Sequence, residues 1–79
     1  MQLTYDSKHN VAYFCFKEKS GTVDTIHISD SLNVDMAPDG SVYGIELLNA
    51  NEQIAGRDNN SLIVINESLG RRQEIKLSA

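Results

Sequence analysis

Apolar and polar positions alternate with a period of two along most of this chain, and the alternation predicts strands. Leu32, Val34 and Met36 share one face while Asn33 and Asp35 share the other, the mark of a strand with one wet side. Ala37-Pro38-Asp39-Gly40 follows. Pro38 carries the φ needed at the first central position of a type I turn, Asp39 can bond its own backbone, and Gly40 accepts the positive φ that leads back into a strand. Val42 to Leu48 returns with apolar groups on both faces, Ile45 and Leu47 on one and Leu48 on the other. That pattern predicts a central strand or one covered on its second side. The whole stretch reads as a hairpin.

The same pattern places the other elements. Leu3 and Tyr5 alternate ahead of the polar cluster Asp6 to Asn10, giving a short first strand. Val11, Tyr13 and Cys15 then face one way and Ala12, Phe14 and Phe16 the other, which suits an interior strand. A helix here would end at Lys19-Ser20-Gly21 after about two turns, too short to be stable. Thr22 to Ile28 is rich in β-branched residues, with Ile26 and Ile28 inward and Thr25 and His27 outward. Val23 falls on the outer face by this count, so either a bulge lies near Asp24 or that face is partly covered. Ser29-Asp30-Ser31 is a turn.

Beyond Asn49, residues 50–55 read either as one helical turn, capped by Asn49 or Asn51 and stopped at Gly56, or as loop. Arg57 to Asn60 is a turn cluster. Leu62 to Ile65, the turn at Asn66 to Gly70, and Gln73 to Leu77 make a second hairpin. The expected architecture is a single mostly-β domain over 1–79, an antiparallel meander of about six or seven short strands with at most one short helix.

Composition narrows the function classes. At 79 residues the chain buries only about 60% of the surface its unfolded form exposes, so a homodimer is expected. Eleven acidic against seven basic side chains, with no basic stripe, give a phosphate backbone little to bind, so no nucleic-acid partner is expected. No basic leader and no run near the ~20 apolar residues of a membrane span occur, so the expected location is the cytoplasm, away from membranes. The single cysteine, Cys15, reads as a small buried hydrophobe beside Phe14 and Phe16.

Tyr5-Asp6, Val11-Ala12-Tyr13-Phe14, Val34-Asp35 with Asp39-Gly40, and above all Gly44-Ile45-Glu46-Leu47-Leu48-Asn49-Ala50 carry a resemblance. Over roughly residues 1–50 the chain resembles the DUF2283 family of small bacterial proteins of unknown function. It departs from that pattern at Met36-Ala37-Pro38, where the family often has a second acidic residue, and at Asn10, where it often has Asp. The resemblance implies a bacterial or phage origin and a compact mostly-β fold, with residues 51–79 as an extension. It supplies no activity and no catalytic residues. On analogy it implies an antitoxin-like or neutralising role toward a small partner protein.

The remaining question is chemistry. Asp35, Asp39, Gly40, Val42 and Glu46 match positions 1, 5, 6, 8 and 12 of a calcium-binding EF-hand loop. Position 3 is Ala37, which offers no ligand oxygen, and the flanks are strands rather than helices. No metal, cofactor or catalytic constellation is therefore expected. Gly44 inside a strand reads as room for an aromatic across the pair, Tyr13 or Phe14. The competing reading makes Glu46 a partly buried acid in a pocket lined by a tyrosine. His9 and His27 have no neighbouring nucleophile and acid. Tyr5, Tyr13 and Tyr43 read either as an aromatic platform or as half-buried sheet residues. The candidate interaction or pocket residues are Tyr13, Tyr43, Glu46 and Asp35. The favoured function is a non-enzymatic protein-interaction module working through an apolar sheet face or an edge strand; the alternative is a small-ligand-binding or sensor domain.

Overall fold

The computed structural model describes residues 1–54 and 60–77. Seven strands and one helix follow in order: β1 (Gln2–Asp6), β2 (Val11–Cys15), β3 (Asp24–Ser29), β4 (Leu32–Met36), β5 (Val42–Leu48), α1 (Ala50–Ile54), β6 (Ser61–Asn66) and β7 (Arg71–Lys76). The first five form one antiparallel sheet in the order β1-β2-β5-β4-β3, and β6 pairs with β7 in a separate two-stranded sheet. The mostly-β, antiparallel architecture read from the alternation is the one found.

Within the five-stranded sheet three of the four connections are tight hairpins. Between β4 and β5, the Gly40 amide donates to the Ala37 carbonyl at 3.0 Å and the Ala37 amide to the Ser41 carbonyl at 2.8 Å. Gly40 has φ 89°, a positive value that glycine takes without strain, and it leads the turn into the returning strand. Asp39 accepts from both the Ser41 amide and the Ser41 hydroxyl; the serine bonds hold its carboxyl below the usual range. At the β1–β2 turn Asp6 accepts from the amides of Lys8 and His9.

The fourth connection is not local. β5 lies between β2 and β4, so residues 16–23 carry the chain across the end of the sheet to β3. Tyr43 anchors this crossing. Its hydroxyl donates to the Ser20 carbonyl at 2.6 Å, and the Lys17 ammonium stands 5.2 Å from its ring centroid. Among the described residues Tyr43 is the one large hydrophobic side chain that is nearly buried, beside Ala12, Ala37 and Ala50. Val23 precedes β3 and is half-buried. The bulge in this strand falls between His27 and Ser29 rather than near Asp24.

At the opposite end α1 closes the sheet. The Asn10 side chain accepts from the Asn51 amide at 2.7 Å, and Tyr5 donates to Asn51 Oδ1 at 2.6 Å. Asn51 Nδ2 donates to the Ser7 carbonyl and Gln53 Nε2 to the Ser31 carbonyl. The helical alternative is thus the one adopted, with the Asn49 carbonyl accepting its first bonds. Gly56, Ala55 and most of the Arg57 to Asn60 cluster lie outside the described residues.

Register assigns the two faces. One cross-strand row is Leu3–Phe14–Ile45–Val34–Ile26, and the next is Tyr5–Ala12–Leu47–Leu32. The opposite face carries Thr4–Tyr13–Glu46–Asn33–His27 and Gln2–Cys15–Gly44–Asp35–Thr25. The sheet therefore has one apolar face and one polar face, each continuous over five strands. Ile26 of the edge strand faces with the apolar row but is 41% exposed, so its inward reading holds for direction and not for burial, whereas Ile28 falls at the bulge and is 57% exposed.

Candidate functional site

The polar face holds a compact cluster around Asp35, built by three strands and the crossing segment. Thr25 Oγ1 donates to Asp35 Oδ1 at 2.7 Å, and the Tyr13 hydroxyl donates to Asp35 Oδ2 at 2.8 Å. The Lys19 ammonium lies 2.9 Å from the same Oδ2 and 4.9 Å from the Tyr13 ring centroid. Asp35 is buried at 9% exposure, a position a carboxylate holds only with such partners.

Gly44 makes the cluster possible. A Cβ at this position would lie 2.4 Å from the Phe14 carbonyl oxygen, and 2.7 and 2.8 Å from the Tyr13 hydroxyl oxygen and Cε1. The phenol lies across the missing side chain on its way to Asp35, two strands from its own. This is the room-for-an-aromatic reading of Gly44, with Tyr13 as the aromatic.

The electrostatics lock the charge state. The Thr25 bond is the main reason the Asp35 carboxyl sits below its ordinary value, with Lys19 and Tyr13 adding to it against its burial. Burial, then the Asp35 bond, pushes the Tyr13 phenol up. The Asp35 bond, then Tyr13, raises the Lys19 ammonium. All three move away from neutral pH, whereas a general acid or base works best with a pKa near it. As chemistry the arrangement is a clamp: a charged, hydrogen-bonded staple joining β2, β3, β4 and the crossing segment.

A second polar row adjoins it. Asn33 Nδ2 donates to Glu46 Oε1 at 3.1 Å, and Asn33 Oδ1 lies 2.9 Å from His27 Nδ1. Asp35 stands opposite Gly44 and Glu46 opposite Asn33, so the two carboxylates occupy successive rows instead of facing each other. Asp39 sits in the turn with its own serine. Among the described residues no three metal-ligating side chains gather.

Of the residues picked from sequence, Tyr13 and Asp35 meet directly, Glu46 is their neighbour, and Tyr43 serves the crossing segment. The three tyrosines form no common platform, since their hydroxyls go separately to Asn51, Asp35 and Ser20. Lys19 and Thr25 were missed. Thr25 is directly opposite Asp35 in the β3–β4 register, so counting back from the Ser29–Ser31 turn would have found it but for the bulge. Nothing in the sequence marks Lys19.

The apolar face is the second candidate surface. An open cleft of about 240 Å³ is lined by Leu3 and Phe14 of the sheet and by Ile54, Leu62 and Leu77. Another of about 300 Å³ lies between Leu3, Phe14 and the hairpin residues Leu62, Val64, Ile75 and Leu77. Among the described residues, the sheet's contribution to these clefts beside the β6–β7 hairpin comes from the β1–β2 end. Glu46 lines neither cleft. Among the described residues no helix is long and apolar enough to cross a membrane.

No curated protein and no solved structure matches the chain. The model of one family, "Protein of unknown function (DUF2283)", matches residues 2–51, the stretch that forms the five-stranded sheet and the start of α1. The chain belongs to the DUF2283 family.

Proposed function

We propose that this protein is a self-associating interaction module whose apolar sheet face packs against a second copy. The observation that carries the reading is the row Leu3–Phe14–Ile45–Val34–Ile26, which crosses all five strands, while among the described residues the clefts beside the β6–β7 hairpin are lined on the sheet by Leu3 and Phe14 of its β1–β2 end. Among the described residues no large side chain is fully buried. A folded monomer of this mass exposes about 4,800 Å², whereas this chain exposes 5839 Å². The excess, roughly 1,000 Å², is close to what each partner contributes to a stable interface. Shape agrees with area. The radius of gyration is 14.1 Å against about 11.6 Å for a compact chain of this length, and the molecule is a slab of 36 × 33 × 18 Å.

A second copy suits this face better than a dissimilar partner, because each copy has the same uncovered area to remove from water. An antitoxin-like role would occupy the same surface with another protein. A ligand-binding role would need Tyr13 and Glu46 free, and both are engaged on the polar face.

Light scattering at micromolar concentration tests the reading. The wild-type chain should have twice its 8.8 kDa mass. Ile26→Asp should be monomeric yet folded, since Ile26 is already half open to solvent in the single chain. A monomeric wild type at that concentration would end the proposal.

A further inference from the structure

One face of the β6–β7 hairpin changes character along its length. Its cross-strand pairs run Asn66–Arg71, Val64–Gln73 and Leu62–Ile75, so the turn end carries hydrogen-bond donors and the far end carries aliphatic side chains. A cleft of about 600 Å³ opens at the donor end, lined by Val64, Asn66, Leu69, Arg71, Arg72 and Gln73. The cleft of about 300 Å³ at the aliphatic end includes Leu62, Val64, Ile75 and Leu77 with Leu3 and Phe14 of the sheet. Val64 lines both, so they adjoin as one groove with a donor-rich end and an apolar end. The donors are unengaged. Among the described residues the Arg71 guanidinium and the Gln73 amide have no hydrogen bond or ion pair, whereas Arg72 lies 3.6 Å from Glu74. Asn66 accepts from the Leu69 amide through Oδ1, which leaves its Nδ2 to donate. Charge points the same way. Residues 60–77 hold three basic side chains against two acidic, and residues 1–54 hold three against eight, so an anion is drawn to the hairpin and repelled by the sheet.

We infer that this groove binds an aliphatic carboxylate, a fatty acid of medium chain length, with its head on Arg71 and Gln73 and its tail over Val64 toward Leu3 and Phe14. The planar guanidinium matches a carboxylate with two parallel hydrogen bonds. The tail end favours an alkyl chain over a peptide. Gln2 is the one polar side chain that lines it, so the amides of a peptide would lose their water without gaining partners, a loss an alkyl chain does not suffer. Length agrees as well. Arg71 and Ile75 lie on one strand, about 14 Å apart along its extended backbone, a span that an extended dodecanoate covers. The site uses neither Tyr13 nor Glu46, and it does not depend on self-association.

Calorimetric titration of the full-length chain with dodecanoate, below its micelle concentration, tests the inference. Dodecanoate should bind, and octanoate should bind roughly ten- to two-hundredfold more weakly through the loss of buried methylenes. Dodecylammonium is the control for charge: on a chain of net charge −4, a surface without an anion site would prefer the cation. Arg71→Gln should weaken dodecanoate about three- to tenfold, and Val64→Asp should abolish its binding. Ile26→Asp, on the open sheet at β3, should bind dodecanoate as the wild type does. No binding of dodecanoate, equal or tighter binding of dodecylammonium, or unchanged affinity in Arg71→Gln would each overturn the inference. Loss of binding in Ile26→Asp would place the acid on the bare sheet face and overturn the groove. Melting curves show that each variant is folded, and the exposed Arg71 keeps the test decisive if Val64→Asp does not fold.

Discussion

Replacing Gly44 by alanine should destabilise this protein, although glycine to alanine within a strand is ordinarily favourable. Alanine loses less backbone entropy on folding, a gain of about 0.5–1 kcal/mol. Here the added Cβ would meet the Phe14 carbonyl at 2.4 Å and the Tyr13 phenol at 2.7 and 2.8 Å. The carbonyl is part of the β2–β5 ladder and cannot retreat without loosening it. The ring can swing away, but only by giving up its bond to Asp35. Overpacking a filled site costs about 1–3 kcal/mol, and a hydrogen bond to a charged group contributes about 1.5–3 kcal/mol. Thr25 and Lys19 remain on Asp35, which reduces the second figure, so the net loss should be about 2–4 kcal/mol after the entropic gain. For a domain of this size that lowers Tm by roughly 10–25 °C. Chemical and thermal denaturation of Gly44→Ala, Tyr13→Ala and the double variant would measure it. The double variant should lose less than the sum of the singles, because Tyr13→Ala removes two of the three close contacts. A Gly44→Ala protein as stable as wild type would refute the reasoning. Strict additivity would assign the strain to the Phe14 carbonyl rather than the ring.

Three further outcomes follow from the same geometry. Asp35→Asn should cost about 2 kcal/mol near neutrality. Because the folded Asp35 carboxyl lies below the ordinary carboxylate value, the stability it confers is present above about pH 4 and lost as pH falls through the folded value. Urea titrations from pH 7 downward should show the gap between the two proteins narrowing as the medium turns acid; a gap that widens with acidification would mean the carboxylate is not its source. At the alkaline end Tyr13 and Lys19 are both raised, so their contribution holds below about pH 10 and fades as pH climbs through their folded values, which a melt series above pH 9 would detect. Tyr43→Phe leaves the aromatic packing but removes the bond to the Ser20 carbonyl, at about 1 kcal/mol. Hydrogen exchange should then quicken in residues 16–23 while the β4–β5 amides keep their protection, and uniform acceleration would count against a local tether.

What the sequence determined by itself is the local layer. Alternation at Leu32 to Met36 and at Val11 to Phe16 gave the strands and their faces, because period two is a property of the extended backbone. Pro38, Asp39 and Gly40 gave the turn, because φ preferences are local. Gly44 could be read as a gap for an aromatic because a strand glycine rarely has another use. What only the tertiary structure decided is which strands are neighbours and what reaches Asp35. Inserting β5 between β2 and β4 depends on a crossing segment that ends on the Tyr43 hydroxyl, a contact between residues 23 positions apart. Lys19 reaches Asp35 from that segment, and no periodicity governs a residue outside regular structure. The bulge between His27 and Ser29 shifts the count that would have set Thr25 opposite Asp35. The polar clamp thus has one half in local pattern and the other in topology. So does the apolar face: its residues are plain in the sequence, while the clefts beside the β6–β7 hairpin exist only once that hairpin has come to lie near Leu3 and Phe14.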